Sequence, residues 1–219
     1  MAKVKSLSDG ICLIDGKLST VNMVRGNKVY GEALVEDGNV EYRQWNPYRS
    51  KLAAAILNGL KTIEIKPKNH VLYLGAATGT TPSHVSDIVG ESGEVYCVEI
   101  SERNMRELLK LCERRSNMVP ILADAQKCAY ISDVGINDVI YQDISSKNQA
   151  QILLNNTSAL KSGGYAYFII KSQSIDVSKD PKEVFEEELS MIKEKYEIVE
   201  KIDIEPYDSA HLFVVLKKK

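Results

Sequence analysis

From residue 71 to residue 170, short apolar runs of strand length alternate with segments of helix length. Strands are expected over 71–74, 94–100, 119–122, 139–142 and 165–170. Helices are expected over 81–89, with Pro82 tolerated in the first turn, over 101–115 behind Ser101, and over 148–160. Strands that alternate with crossover helices pair in parallel, so the expected fold is α/β, a Rossmann-like doubly wound sheet. A charged helix over 180–195 and two strands near 198–204 and 211–216 follow. The short connection between those last strands predicts an antiparallel hairpin at one edge of the mostly parallel sheet.

Upstream, residues 10–45 are β-rich. Runs 28–35 and 40–45 flank Glu36-Asp37-Gly38-Asn39, and Asp-Gly between strand-like runs signals a hairpin. Asn46-Pro47 breaks the pattern, and Ser50 can cap a helix that runs from Lys51 through Leu57. Lys66-Pro67-Lys68-Asn69 reads as a loop at the border of the alternating region. A small β-rich N-terminal domain, 1–50, is therefore expected ahead of a larger α/β domain, 51–219.

The longest apolar runs are strand-sized, and residues 1–8 have no apolar signal-peptide core. No membrane association is expected, and the expected location is cytoplasmic. Cys12, Cys97, Cys112 and Cys128 form no C-x-x-C pair, and His70, His84 and His211 show no ligand spacing. Reduced thiols and no metal site are expected. The net charge of −2 argues against a free-standing nucleic-acid binder. Residues 1–70 hold 11 Lys+Arg against 7 Asp+Glu, so a phosphate-facing patch would draw on that third unless the excess is surface scatter.

Ligands of open α/β sheets bind at the carboxyl ends of the strands. The first of these strands ends in Leu74-Gly75-Ala76-Ala77-Thr78-Gly79-Thr80-Thr81. Small residues there let a ligand approach the backbone, although the loop matches neither the dinucleotide glycine pattern nor a P-loop, and a plain tight turn is the alternative. The next strands end in Glu99, in Asp124 and in Asp143. Glu99 can accept from both ribose hydroxyls of an adenosine-bearing ligand, and Asp124 can accept from an adenine amino group. An ordered set of acids behind such a loop points to an S-adenosylmethionine site. Lys171 closes the fifth strand and should lie beside Asp143. That pair can shape a proton-abstraction site, with the carboxylate orienting the amine, or can be a structural salt bridge.

Residues 45–54 (Trp45-Asn46-Pro47-Tyr48-Arg49-Ser50-Lys51-Leu52-Ala53-Ala54), 71–81 and 83–87 carry a family resemblance, as do 174–181 and Glu205-Pro206-Tyr207. Together they resemble archaeal fibrillarins, from about Gly10 to the end. The resemblance implies S-adenosylmethionine-dependent 2′-O-methylation of ribose in rRNA and tRNA, directed by a box C/D guide RNA. It implies a Nop-family scaffold protein and a kink-turn-binding protein as partners. It also implies a catalytic set that falls on Lys51, Asp143 and Lys171, with His211 as a fourth member. Cofactor contacts are expected at Gly75, Ala76, Thr80, Thr81, Glu99, Ile100, Asp124, Ala125, Asp143 and Ser146. After Asp143 the family usually reads Val/Ile-Ala-Gln-Pro, whereas this chain reads Ile144-Ser145-Ser146-Lys147.

Three rivals remain at this level. A nicotinamide-dependent oxidoreductase is opposed by the glycine pattern, and ligand titration separates it. A non-catalytic particle subunit is opposed by the complete Lys51, Asp143 and Lys171 set. A small-molecule methyltransferase is opposed by the N-terminal segment.

Overall fold

A computed structural model describes residues 3–219. Residues 4–44 build a five-stranded antiparallel sheet from β1 (Val4–Ser8), β2 (Ile11–Ile14), β3 (Lys17–Val21), β4 (Leu34–Asp37) and β5 (Val40–Gln44), in the order β1-β2-β3-β5-β4. The expected hairpin joins β4 to β5, with Gly38 at φ +59 in its turn. The run 28–35, expected as strand, becomes strand only at Leu34. The reason is Glu32, whose buried carboxylate accepts from Val29 N, Tyr30 N and Arg43 Nε at 2.7–3.1 Å and folds the segment into a turn. Burial works against ionising Glu32, but those backbone N–H groups and Arg43 outweigh it and lower its pKa.

Ser50 caps α1 (Lys51–Leu57) through its Oγ, as its position before an apolar run predicts. A strand–helix alternation follows: β6 (His70–Leu74), α2 (Thr80–Val89), β7 (Glu94–Glu99), α3 (Glu102–Cys112), β8 (Met118–Leu122), α4 (Ile131–Val134), β9 (Asn137–Gln142), α5 (Gln149–Asn156) and β10 (Leu160–Lys171). Then come α6 (Ser172–Ile175), α7 (Pro181–Ile192), β11 (Tyr196–Asp203) and β12 (His211–Lys218). The seven-stranded order is β11-β12-β10-β9-β6-β7-β8, with only the β11 and β12 pairings antiparallel. The edge hairpin is present as expected, and its second strand is inserted between β11 and β10.

The helix expected over 148–160 stops at Asn156, and a short 3-10 turn leads into β10 already at Leu160. Ser162-Gly163-Gly164 is absorbed into that strand as an irregularity of register between Leu160 and Tyr165. Along β6 the side chains alternate between two cores. Val71 and Tyr73 face α1 and α2, while Leu72 and Leu74 face α5 and α7. Among the described residues, no helix is long and apolar enough to cross a membrane.

The smaller sheet is joined to α2 by buried polar groups. Arg43 donates to Asp87 Oδ2 at 2.8 Å and to Ser83 Oγ at 2.9 Å, and Arg115 donates to Asp87 Oδ1 at 2.7 Å. His84 stacks on Trp45, with Thr20 Oγ1 2.8 Å from Nδ1 and Tyr30 Oη 2.8 Å from Nε2. Thr20 donates to Asp87, so the proton of the neutral ring sits on Nδ1 and Nε2 accepts from Tyr30.

Burial, helped by Arg43 and Arg115, pushes the His84 pKa well below 6.5. The folded value lies below the unfolded one, so the unfolded chain takes up a proton that the folded chain refuses. This contribution to stability is complete above pH 6.5 and shrinks as pH falls beneath it, at up to about 1.4 kcal/mol per pH unit. Urea unfolding should show a lower midpoint at about pH 5.5 than at about pH 7, and His84→Gln should lose most of that difference. An unaltered pH dependence in the variant would exclude His84 as its source.

Candidate active site

The carboxyl ends of β6, β7, β8 and β9 surround a cavity of about 470 Å³, within the range of about 300–1,000 Å³ typical of small-molecule sites. Gly75, at φ +86, forms part of its wall. A Cβ at this position would lie 2.6 Å from the Asp143 carbonyl oxygen, so only glycine lets β6 and β9 end this close together. Glu99 is anchored by backbone donors, with Ala77 N on Oε2 and Ser101 N on Oε1, each at 2.8 Å. Each oxygen keeps a further lone pair for a hydroxyl donor. Asp124 is held through Oδ1 by Gln126 N at 2.9 Å. Ile100 is 67% exposed on the cavity rim, an apolar face beside two acids. A glycine-walled cleft with strand-tip acceptors and an apolar rim has the shape and acceptor chemistry to take an adenosine-bearing ligand.

Most of the residues singled out in the sequence meet here. Gly75, Glu99, Ile100, Asp124, Ala125, Asp143, Ser146 and Lys171 all line the cavity. Three expected contacts lie elsewhere. Ala76 is buried behind the loop, and Thr81 Oγ1 donates to Ser50 Oγ at 3.0 Å. Thr80 opens onto a different concavity.

At one end of the cavity Asp143 carries two lysines. Lys171 Nζ lies 2.7 Å from Asp143 Oδ1 and donates to the Asp143 carbonyl and to Ser145 Oγ, each at 3.2 Å. Lys51 Nζ lies 3.3 Å from the same carboxylate, reaching it from the first turn of α1. Burial works against ionisation of Asp143, but the two lysines outweigh it and hold the carboxyl below its ordinary value. Gln149 fixes the backbone of Lys171 on both sides, accepting from its N–H at 2.9 Å and donating to its carbonyl at 3.1 Å.

β12 brings His211 opposite Lys171 in register. Asp208, which no sequence motif marks, ties the cluster together. Its Oδ1 lies 2.7 Å from His211 Nδ1 and its Oδ2 lies 3.5 Å from Lys51 Nζ. Burial lowers the His211 pKa, Asp208 opposes this, and Lys51 and Lys171 add to the lowering. A neutral ring placed this way keeps its proton on Nδ1 and leaves Nε2 as an acceptor. Ser145, marked in the sequence only as part of the departure after Asp143, accepts from Lys171 Nζ at 3.2 Å. The departure after Asp143 thus supplies a hydroxyl that receives Lys171.

An open parallel sheet that ends neighbouring strands in carboxylates, with one reversed strand inserted beside its last parallel strand, defines the class: a Rossmann-like methyltransferase fold. The profile described as Fibrillarin matches residues 7–219, and the chain belongs to the fibrillarin family. A fibrillarin-like rRNA/tRNA 2′-O-methyltransferase of Thermococcus sibiricus is 52% identical over 204 residues, covering 92% of this chain and 90% of the relative. The Methanococcus jannaschii fibrillarin pre-rRNA processing protein superimposes with a TM-score of 0.95 at 45% identity, covering 100% of this chain and 98% of that one. Aeropyrum pernix fibrillarin, solved with natively bound S-adenosyl-L-methionine, gives 0.89 at 39% identity, covering 99% and 100%. A fibrillarin/Nop5p complex also gives 0.89 at 39% identity, covering 98% and 100%.

Proposed function

We propose that this chain uses S-adenosylmethionine to methylate ribose 2′-hydroxyls of rRNA and tRNA, as the catalytic subunit of a box C/D guide-RNA particle. The observation that carries this reading is the Lys51–Asp143–Lys171 junction at the end of a cleft suited to an adenosine-bearing ligand. The relatives described above act on, or were solved with, these molecules. Glu99 and Asp124 would hold the adenosine portion, with Gly75 and Ile100 shaping its bed. The cofactor supplies a methyl group already activated on a sulfonium, which leaves the chain to position the reactants and manage one proton.

As the O–CH3 bond forms, the methyl–sulfur bond would break to leave a neutral thioether, and the hydroxyl proton would be released. Lys171 Nζ, aimed by Asp143 and Ser145, stands where it can assist that departure. Lys51, held between Asp143 and Asp208, supplies positive charge for the oxygen as negative charge develops on it. The Nop-family scaffold is supported by the match to the fibrillarin/Nop5p complex, while the guide RNA and the kink-turn-binding protein follow from the family resemblance. Residues 1–50 and 51–219 are taken as its two domains.

Two measurements test this. Calorimetry should detect S-adenosylmethionine binding by the chain alone, weakened roughly tenfold or more in Asp124→Ala by loss of a hydrogen bond to a charged group. A folded chain that binds no S-adenosylmethionine refutes the site. In the second, guide-matched and mismatched RNAs are offered to the chain alone and to the reconstituted particle, and the modified sugar is mapped. With a net charge of −2 the chain alone should hold RNA weakly, and site-specific methylation should need the particle. Efficient, site-specific modification by the chain alone would overturn the dependence on a guide.

A further inference from the structure

The loop after β6 contributes to two concavities. Gly75 and Ala77 line the carboxylate-tipped cavity, whereas Thr78 and Thr80 line a second one of about 390 Å³. The second concavity is bounded by Lys28 and Tyr30 from the segment before β4, by Arg49, and by Lys110 and Arg114 at the end of α3. Its charges are not all free. Lys110 pairs with Glu107 at 2.8 Å, and Arg115 is committed to Asp87. Lys28, Arg49 and Arg114 have no carboxylate partner among the described residues. Arg114 donates to the neutral Asn27 amide at 3.0 Å, and the Arg49 guanidinium lies 5.3 Å above the Tyr30 ring. In a chain of net charge −2, this is a local excess of cations in a concave setting.

Its location restricts what can fill it. Arg49 forms one wall, and the next two residues are Ser50 and Lys51. Ser50 is fixed by Thr81 Oγ1 and caps α1, so Arg49 and Lys51 sit on either side of a rigid joint. Arg49 and Lys51, two residues apart, would present positive charge to successive stretches of a polyanion that lay across both. Two guanidiniums suit phosphate oxygens, to which they can donate through paired N–H groups.

We propose that this concavity is a phosphodiester site that grips the backbone of the RNA strand whose ribose lies over Lys51, Asp143 and Lys171. The assignment rests on the function proposed above. It adds a second anchor on the same strand, one that sets register without reading sequence.

The test uses the double charge reversal Lys28→Glu/Arg114→Glu, with Lys5→Glu on β1 as a control outside the concavity. Binding of a fluorescent single-stranded RNA of the guide-matched target sequence is measured by anisotropy across a salt series with the full chain. The double variant should bind at least about tenfold more weakly at low salt. Its plot of log affinity against log salt should flatten by roughly 0.7 for each phosphate that is no longer neutralised. In the reconstituted particle the loss should fall on KM for RNA rather than on kcat, and calorimetry should give wild-type affinity for S-adenosylmethionine. The control should match wild type throughout. RNA affinity and salt slope equal to wild type in the double variant would overturn the proposal. So would loss of scaffold-protein binding with RNA affinity intact, which would make the concavity a protein-docking site. A wild-type particle that binds RNA with this salt dependence but transfers no methyl group would instead refute the function and leave the phosphate site standing.

Discussion

Lys171→Ala is expected to slow single-turnover methyl transfer in the assembled particle by about 10²-fold or more, the usual scale for a positioned proton-transfer group. Asp143→Ala should match or exceed that loss. Removing the carboxylate takes away the partner 2.7 Å from Lys171 and 3.3 Å from Lys51, leaving Lys51 only Asp208 at 3.5 Å and Lys171 only the neutral acceptors Ser145 Oγ and the backbone carbonyl of residue 143. S-adenosylmethionine affinity should suffer less in Lys171→Ala than in Asp124→Ala, because Lys171 ends β10 whereas Asp124 follows β8, across the cavity with three strands between them. Transfer by Lys171→Ala at the wild-type rate would show that the amine takes no part in moving the proton.

The largest effect on stability is expected at Asp87. One buried carboxylate there receives Arg43 on one oxygen and Arg115 on the other, together with Thr20 Oγ1 and the Met23 N–H. Asp87→Ala leaves two buried guanidiniums with Glu32 as the remaining acid beside them. Breaking a buried pair from one side typically costs about 3–5 kcal/mol. For a chain of this length that corresponds to a fall in Tm of roughly 10 °C. A denaturation midpoint within error of wild type would mean that the network adds little to holding the smaller sheet against α2.

The strand tips are visible in the sequence because their chemistry is local. An apolar run names a strand, and the residue that ends it names the group at the sheet edge, so Glu99, Asp124, Asp143 and Lys171 can be gathered without knowing any pairing. The insertion of β12 beside β10 depends on non-local pairing, which periodicity does not encode. Val29 and Tyr30 carry strand-forming side chains, and there the Glu32 carboxylate prevails over propensity by capturing three donors. Asp208 is hidden for a related reason. Its reach to both His211 and Lys51 depends on the turn at Ala210, φ +59, and on α1 lying alongside β12. Arg43 and Asp87 read as surface charges until the two sheets are brought together.

The order of the strands also bears on how the protein is made. His211 lies on a strand that pairs with β10 on one side and β11 on the other, yet it leaves the ribosome after both. Until it emerges, the nascent sheet exposes two unpaired strand edges, a template for pairing with other chains. Lys51, Asp143 and Lys171 are by then already synthesised, but Asp208 and His211 are not. The residues that line the carboxylate-tipped cavity, from Gly75 to Lys171, are thus all made before the two that complete the cluster around Lys51. β12, translated after both of its neighbours, closes the gap between them and brings His211 to the cluster around Lys51, Asp143 and Lys171.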